Sequence, residues 1–507
     1  MTVTVWILGD QLLLNHPALC FAKEKIGREK VVVLMIESQL RANRLPYQKK
    51  KLVLLFSSMR HYADNLRMNG VRVDYQTSPD TSTAIKQHLH EYQPEKLITM
   101  AASEFRGREY QNDLSRLLNI PATVLPNTSF LTGIYNPFRD PKPLKRYIQE
   151  QFYRKMRQQF NLLMEAKGDP VGEKWNYDKS NRRKLPKNNV PPAPLTFEPD
   201  EITLKVMNEV HQHFEGVGQV DEFNLAVTHD SAKQAAFDFL DHRLPNFGAY
   251  EDAMSSDYET IYHSRLSPYL NLGLLEPLWL AREAEKRYED GQAPINSVEG
   301  FIRQVVGWRE FIYWQYWRLG NAIYESNYWQ AKSPLPEMFW NGNTDLNCLG
   351  HVIRRALSSG YTHHIERLMI ICNFCLLAGI NPVDVNNWFL SAYIDAYEWV
   401  MLPNVFGMGL YADGGLTATK PYIASANYIN KMSNYCRECR FDRKLRTGEK
   451  ACPFNFLYWN FIIENEEILR SNPRMMRNLL SLRNIKKEER QLVKEQAHQF
   501  LDQLNYS

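Results

Sequence analysis

The sequence lacks the features of a secreted or membrane-spanning chain. Residues 1–12 contain no basic leader followed by a long apolar stretch, and no run of about eighteen apolar residues occurs anywhere, so we expect neither a secretory signal nor a membrane span. The seven cysteines are an odd number in a chain of 507 residues. An odd number argues against an extracellular disulfide framework and favours reduced thiols or a metal site. These absences predict a soluble cytoplasmic protein.

Strong charge and internal repetition are absent as well. The net charge of +4 is too weakly basic to indicate a nucleic-acid binder by itself. We find no repeating unit, which excludes a solenoid. No GxGxxG follows the first apolar run, so an ordinary dinucleotide site is not supported. What the chain does have is aromatic residues, including 11 Trp and 27 Tyr, which suit a large globular core.

The pattern of apolar residues divides the chain into two unlike parts. Short β-rich runs, typical of βαβ units, occur at Val3–Leu8, Val31–Ile36, Val71–Tyr75, Lys96–Met100 and Ala122–Leu125. Residues 168–199 are rich in Pro, Asn and Lys/Arg and lack periodicity, whereas helical periodicity dominates from about residue 221. We predict a Rossmann-like α/β domain with a parallel sheet at 1–135, an interdomain linker at 136–220 and an all-α domain at 221–507.

Two segments of the helical part carry residues suited to a phosphate-containing ligand. Thr260–Gly273 places His263, Ser264 and Ser267 where a helix would begin, offering hydroxyls and free N–H groups to an anion. Simple N-capping by the serines explains the same pattern. In Gln304–Phe311, Arg309 lies between aromatic residues.

Together these two segments resemble the flavin-binding core of the photolyase/cryptochrome family. The resemblance implies that the serine-rich turn holds the pyrophosphate of FAD and that the Trp-Arg-Glu-Phe helix lines its cavity. The implied FAD contacts are Tyr250, His263, Ser264, Leu266, Ser267, Gln304, Arg309, Arg367, Asp395 and Met401.

The segment Tyr393–Asn404 resembles the loop beside the flavin ring in this family. The resemblance implies that Asp395 pairs with Arg367 close to the isoalloxazine. An ordinary salt bridge between helices would use the same two residues. Met401 falls where the family places a polar side chain opposite flavin N5, and methionine offers only a weak acceptor.

A histidine pair points to the chemistry. Gly360–Met369 resembles the His-His-x-x-Arg segment of the (6-4) photolyases, which implies that His364 contacts the DNA lesion, with His363 beside it as a second catalytic residue. On a helix, His364 would share a face with Leu368 and His363 a face with Arg367. An imidazole near neutrality can donate a proton, although packing alone is the commoner role of a histidine.

The late cysteines have the spacing of a metal site. Cys436 and Cys439 form CxxC, Cys452 follows, and Cys348 lies upstream. Four thiolates favour an iron-sulfur cluster or zinc. The resemblance extends to a bacterial branch of the family with a 4Fe-4S cluster, and it implies that these cysteines hold that cluster.

The resemblance also implies roles for residues outside the flavin core. Trp388 and Trp340 match positions used for electron transfer, although buried tryptophans are often core residues. Asp10 and Glu37 lie after the first two strands and could bind a 6,7-dimethyl-8-ribityllumazine antenna, or could be helix caps.

DNA contacts are expected from the linker and from the helical domain. Arg183, between Arg182 and Lys184, could hold phosphates, although a basic loop is often only solvated. Tyr422 could stack on a flipped lesion.

The function implied by the resemblance is that of a monomeric (6-4) DNA photolyase acting on UV-damaged DNA. Photoexcited, reduced FAD would pass an electron to the lesion while His364 supplies a proton. A cryptochrome-like blue-light receptor without repair activity is the first alternative. A helical iron-sulfur nucleic-acid module without flavin, as in primase accessory subunits, is the second.

Overall fold

A parallel β-sheet forms the centre of the first domain. In the computed structural model the structure describes residues 2–506, and side chains for residues 2–504. The strands are β1 (Val3–Trp6), β2 (Val31–Ser38), β3 (Arg72–Ser78), β4 (Lys96–Met100) and β5 (Ala122–Leu125). Their order is β3-β2-β1-β4-β5, with every neighbouring pair parallel. The predicted α/β domain is confirmed.

Helices cover both faces of this sheet. They are α1 (Pro17–Ile26), α2 (Gln39–Ala42), α3 (Lys49–Met68), α4 (Thr81–Tyr92), α5 (Phe105–Asn112) and α6 (Leu114–Leu118). The strand order reverses between β1 and β4, and in open parallel sheets the crevice at such a point is the usual ligand site. Asp10 follows β1 there, and Glu104 follows β4.

The predicted linker contains two long helices. α7 (Gln149–Phe160) buries Phe152, Tyr153 and Met156 against the helical domain, whereas α8 (Glu201–His213) packs on α3. Both are amphipathic, and the apolar face of each needs a partner surface. Between them, residues 161–200 contain no α-helix. The domain boundaries themselves stay a prediction.

The rest of the described chain is helical. Its α-helices are α9 (His229–Asp238), α10 (Leu244–Tyr250), α11 (Ser267–Leu272), α12 (Pro277–Glu289), α13 (Ile295–Ile302), α14 (Glu310–Leu319), α15 (Met338–Asn341), α16 (Asn347–Ser359), α17 (His364–Glu366), α18 (Asn373–Leu377), α19 (Pro382–Ala392), α20 (Glu398–Leu402), α21 (Ala426–Met432), α22 (Pro453–Glu464), α23 (Glu466–Arg470), α24 (Met476–Leu482) and α25 (Lys487–Tyr506). The predicted all-α second domain is confirmed.

Wide, π-helical turns interrupt the helices near the predicted flavin residues. They lie at Phe239–Arg243, Arg303–Arg309, Arg367–Cys372 and Pro403–Gly409. Such turns occur frequently at functional sites. The second contains Gln304 and Arg309, and the third begins at Arg367.

One large core joins the two domains. Val33 and Ile98 of the sheet belong to the same cluster of buried residues as Trp399 of α20. No helix in the described residues has the length and apolar character needed to cross a bilayer.

Candidate functional site

The Arg367–Asp395 ion pair lies at the centre of the predicted flavin site. Arg367 donates two hydrogen bonds to the carboxylate of Asp395, at 2.8 and 3.2 Å. Ser267, the first residue of α11, donates to the same carboxylate at 2.7 Å. The guanidinium also lies 4.0 Å from the centre of the Tyr393 ring. The predicted pair is therefore present, and with Ser267 it connects two helical segments to the turn between α19 and α20.

The two adjacent histidines face different surroundings. The sequence predicted a helix through both, but α17 begins at His364, and His363 precedes it with extended backbone angles. The His363 ring therefore turns inward and stacks on His263, with ring centres 4.1 Å apart and planes at 11°. Desolvation lowers the pKa of both rings, that of His263 to about 4. Both are neutral at pH 7.

These two rings leave buried nitrogen atoms unpaired. Nε2 of His263 donates to the Glu251 carbonyl at 3.1 Å. Nδ1 of His263 and both nitrogens of His363 have no hydrogen-bond partner among the described residues. Buried polar atoms are nearly always paired in native proteins. The arrangement therefore suits a ligand that brings its own donors or acceptors.

His364 is the exposed member of the pair. Desolvation lowers its pKa, Arg367 lowers it further, and Asp395 opposes them. His364 is nevertheless exposed to solvent. Its desolvation therefore comes from the side chains that surround it in a surface recess. One turn along, Leu368 belongs to a separate apolar cluster, against which Tyr422 packs. His364 is thus an accessible imidazole beside both an ion pair and an apolar surface.

Glu366 is a functional candidate that the sequence analysis missed. It is 1% exposed and accepts hydrogen bonds from Tyr435 at 2.5 Å and Arg355 at 3.3 Å. Desolvation raises its pKa to about 7. Its other oxygen, Oε2, has no hydrogen-bond partner in the described part of the chain and lies 3.9 Å from Nε2 of His363. The sequence signal that could have found Glu366 is its position three residues after His363, a spacing at which two side chains on a helical turn can meet.

Glu251 is a second missed acid. Gln304 donates to one of its oxygens at 2.6 Å, and Asn181 donates to the other at 3.0 Å. Desolvation raises its pKa to about 7. The ring of the preceding Tyr250 stacks on Tyr262 at 5.3 Å. The predicted residues Tyr250 and Gln304 therefore lie around the backbone that contacts His263.

The remaining predicted flavin residues make mostly local contacts. Ser264 accepts from the backbone N–H of Leu266 at 3.4 Å, a local turn before α11, and no side chain caps the start of that helix. Leu266 and Met401 are buried. Arg309 donates a hydrogen bond to the Glu310 carboxylate at 2.7 Å, and its guanidinium lies 4.3 Å from the centre of the Phe130 ring. Its Nε has no partner among the described residues, so one donor there remains available to an anionic group.

The two predicted electron-transfer tryptophans are linked through one hydrogen bond. Nε1 of the buried Trp388 donates to the carbonyl of Phe339 at 2.7 Å. Trp340 is the next residue and is 42% exposed. On its other side, Trp388 contacts the ring of Tyr393 edge-on at 5.7 Å. An aromatic route therefore runs from the surface to the Arg367–Asp395 pair.

The four predicted cluster cysteines approach one another. Desolvation raises the pKa of Cys348, and negative charge on Cys452, Cys436 and Cys439 would raise it further. All four are free thiols. Asn347 binds the Tyr435 carbonyl at 2.8 Å and so ties the start of α16 to the CxxC loop.

The geometry of a metal site is not yet formed by these side chains. Among the described residues, no three His, Cys, Asp or Glu side chains meet at the spacing of metal ligands. Four free thiols within electrostatic range nevertheless have the chemistry that a 4Fe-4S cluster needs.

The predicted antenna residues are already engaged by protein groups. The Glu37 carboxylate accepts from Arg60 at 2.9 and 3.0 Å and from Tyr75 and Thr77. It borders a cavity of about 650 Å³ between β2, β3 and α8, whose lining does not include the buried Asp10. The two residues therefore do not share that cavity.

The predicted DNA contacts lie on the surface. The side chains of Arg183 and its neighbours Arg182 and Lys184 are exposed. Burial raises the pKa of the partly exposed Tyr422, and Arg182 lies close enough to oppose that rise. The basic linker and Tyr422 therefore lie near each other.

Comparisons with known proteins show the family to which the chain belongs. Residues 5–225 match the family described as deoxyribodipyrimidine photo-lyase-related protein. A (6-4) photolyase of Agrobacterium fabrum is 39% identical over 513 residues, covering 100% of both chains. A bacterial class III photolyase structure from Agrobacterium tumefaciens shares the fold, with a TM-score of 0.58, 16% identity and coverage of 87% of this chain and 88% of its own. A Synechocystis cryptochrome structure does so with a TM-score of 0.54, 18% identity and coverage of 80% and 82%. The chain belongs to the photolyase/cryptochrome family, in the branch of the bacterial (6-4) photolyases.

Proposed function

We propose that this protein repairs (6-4) pyrimidine photoproducts in UV-damaged DNA under blue light. The relative with 39% identity over the whole chain is named a (6-4) photolyase. The single structural observation that carries the proposal is the accessible His364 beside the buried Arg367–Asp395 pair. The family implies FAD, which when bound and reduced supplies the photoexcited electron.

His364 donates the proton in this proposal. The pKa of the free residue is lowered, so most of its population is neutral at pH 7. DNA phosphates and a lesion that gains negative charge would raise this pKa, because opposite charge favours the protonated imidazole. Protonation of His364 thus coincides with substrate binding. His363, stacked and buried behind it, is the second catalytic candidate.

The flavin would be held by the residues around the Arg367–Asp395 pair. Ser267 and Arg367 fix the Asp395 carboxylate, so its position is set before a ligand binds. The unpaired nitrogens of His263 and Arg309 would find partners on the cofactor. Met401 cannot donate to flavin N5, and the stability of the reduced cofactor would have to come from other groups.

Four further assignments complete the proposal, and the first two concern the cysteines and the tryptophans. Cys348, Cys436, Cys439 and Cys452 would hold a 4Fe-4S cluster, supported by their free thiols and their proximity. Trp388 and Trp340 would carry electrons between the surface and the flavin, supported by the hydrogen bond through Phe339.

An antenna and the DNA contacts are the remaining assignments. A lumazine would bind at the carboxyl ends of β1 and β2, near Asp10 and Glu37. Its support is the position of Asp10 after β1 and of Glu37 near the carboxyl end of β2, since Glu37 already has protein partners. Arg183 and Tyr422 would contact DNA, supported by the exposure of Arg183 and by the packing of the partly exposed Tyr422 against the apolar cluster of Leu368.

Repair of defined lesions tests the function. We expect blue light to restore an oligonucleotide with one (6-4) lesion and to leave one with a cyclobutane dimer unchanged, with bound flavin reduced chemically beforehand. Restoration of neither, with flavin content verified, would instead support a light receptor. Absence of flavin after acid release would contradict both and favour an iron-sulfur nucleic-acid module.

A further inference from the structure

A positively charged groove opens beside Trp340. Its volume is about 790 Å³, and Trp340, His351, Arg354 and Arg355 contribute to its walls together with the loop at 216–219. No aspartate or glutamate belongs to its lining in the described part of the chain. The groove is distinct from the recess of His364 and from the predicted DNA residues.

The charges of the groove favour an anion. Desolvation lowers the pKa of His351, and the guanidiniums of Arg354 and Arg355 lower it further, while Asp257 and Glu438 oppose them. Arg355 is committed to Glu366, Tyr435 and Ser256. The exposed Arg354 donates from Nη1 to the Gly342 carbonyl at 2.8 Å. Its Nη2 has no hydrogen-bond partner among the described residues, so Arg354 can bind an anion directly.

The same groove is the outer end of the aromatic route. The carbonyl that accepts the Trp388 indole hydrogen bond is bonded covalently to the backbone nitrogen of Trp340. From Trp388 the route continues through Tyr393 to Arg367. If the inner end of this route loses an electron, Trp388 and then Trp340 would supply it. The exposed indole of Trp340 would then need an electron from outside the protein.

We propose that this groove binds a small anionic one-electron reductant and delivers its electron to Trp340. The proposal rests on the electron-transfer role of Trp340 and Trp388 in the proposed function. Trp340 gives one electron to oxidised Trp388 and becomes a radical cation. A bound reductant of the ascorbate class then gives one electron to Trp340, restoring the neutral indole, and releases one proton to solvent as it becomes a radical anion.

Binding in the dark is the first test, with ascorbate as the probe and the flavin-loaded protein titrated calorimetrically. We expect Arg354→Gln to weaken binding by about tenfold, the effect of losing one charge-assisted hydrogen bond. Arg106→Gln, an exposed site on α5 with the same loss of charge, should bind as the wild type does. Equal affinities in all three proteins, or displacement of ascorbate by undamaged duplex DNA, would overturn the proposal.

Flavin photoreduction under argon is the second test. With ascorbate, the wild-type rate should saturate near the dark dissociation constant, and Arg354→Gln should shift that saturation by the same factor. With neutral dithiothreitol at pH 7, Arg354→Gln should change nothing, whereas Trp340→Phe should slow both reactions. A rate that rises linearly with ascorbate, or an unaffected Trp340→Phe variant, would refute electron entry through this groove. Repair by chemically reduced flavin does not use this route, so its failure would contradict only the proposed function.

Discussion

The two regions in which the sequence predicts small ligands differ in how their buried polar atoms are satisfied. In the helical domain, His363 has no hydrogen-bond partner for either ring nitrogen within the described chain, and Glu366 has none for Oε2. Near the carboxyl end of β2, Glu37 has both oxygens bound by Arg60 and neighbouring hydroxyls. Unpaired buried groups destabilise a folded chain. The unpaired groups around His363 therefore cost the folded chain stability that a ligand could restore by bonding them, whereas the groups around Glu37 are satisfied by the protein itself.

The crevice of the sheet shows the same contrast. Open parallel sheets bind ligands where the strand order reverses. Here Glu104, after β4, accepts from the backbone N–H of Glu398 at 2.9 Å, and Asp10 and Glu104 both influence the buried Tyr397. The helical domain thus occupies the usual ligand position of the α/β domain. The loop that carries Asp395, where we predict a flavin contact, is anchored beside the carboxyl ends of the strands as a result.

The largest expected effect is the loss of repair on replacing His364 with Ala. A positioned general acid contributes about 10²–10⁴ to a rate, so we expect (6-4) repair by reduced enzyme to fall by that factor. In the wild type the rate should also fall as pH rises through the pKa of His364 in the complex, and the variant should lack this slope. His498→Ala, exposed on α25, is the control. Unchanged repair in His364→Ala would show that the helical region around His364 is not the site of the chemistry.

The next effect concerns Glu37, whose carboxylate is already bound by protein groups. Glu37→Gln should destabilise the protein by about 3 kcal/mol, because it leaves the partly buried Arg60 without its main carboxylate. Asp64→Asn, on the rim of the same cavity, breaks an exposed pair with Arg67 and should cost about 0.5 kcal/mol. Urea unfolding measures both. If Glu37→Gln were neutral, Glu37 would be a site held for a ligand, and the two regions would not differ.

Periodicity and motif spacing predicted much of this architecture. All five β-rich runs contain or overlap a strand, and the Asp395–Arg367 pair is present. The inward turn of His363 was not predictable, because the start of a helix depends on local backbone angles that a motif does not specify. Nor were the contacts of Lys51, whose partners lie more than 300 residues away and follow no local pattern.

Lys51 couples the two regions and gives a pH-dependent prediction. Its ammonium, buried on α3, donates to the carbonyls of Leu390 and Ala396 on either side of Asp395. Desolvation lowers its pKa to about 7. The folded chain therefore holds fewer protons than the unfolded chain between pH 7 and the ordinary lysine pKa, so its stability rises with pH in this window.

The comparison of wild type with Lys51→Met isolates this effect. From pH 7 to pH 9 the wild type should gain about 2 kcal/mol relative to the variant, as a lysine pKa near 7 requires. Urea unfolding at the two pH values measures the difference, and other titrating groups cancel between the two proteins. A pH-independent difference would show that Lys51 keeps its ordinary pKa and that the domain boundary is solvated.

The smallest effect has the opposite sign. His363→Phe keeps an aromatic ring stacked on His263 and removes two unpaired nitrogens, so we expect the protein to gain about 1 kcal/mol of stability while repair slows. His88→Phe is the matched control. The His88 ring stacks on Tyr92 at 4.7 Å, but its nitrogens bond Thr4 at 2.7 Å and Asp74 at 2.6 Å, so this variant should lose stability. If both variants were destabilised equally, His363 would have an unseen partner in the folded chain, and the groups around it would be as well satisfied as those around Glu37.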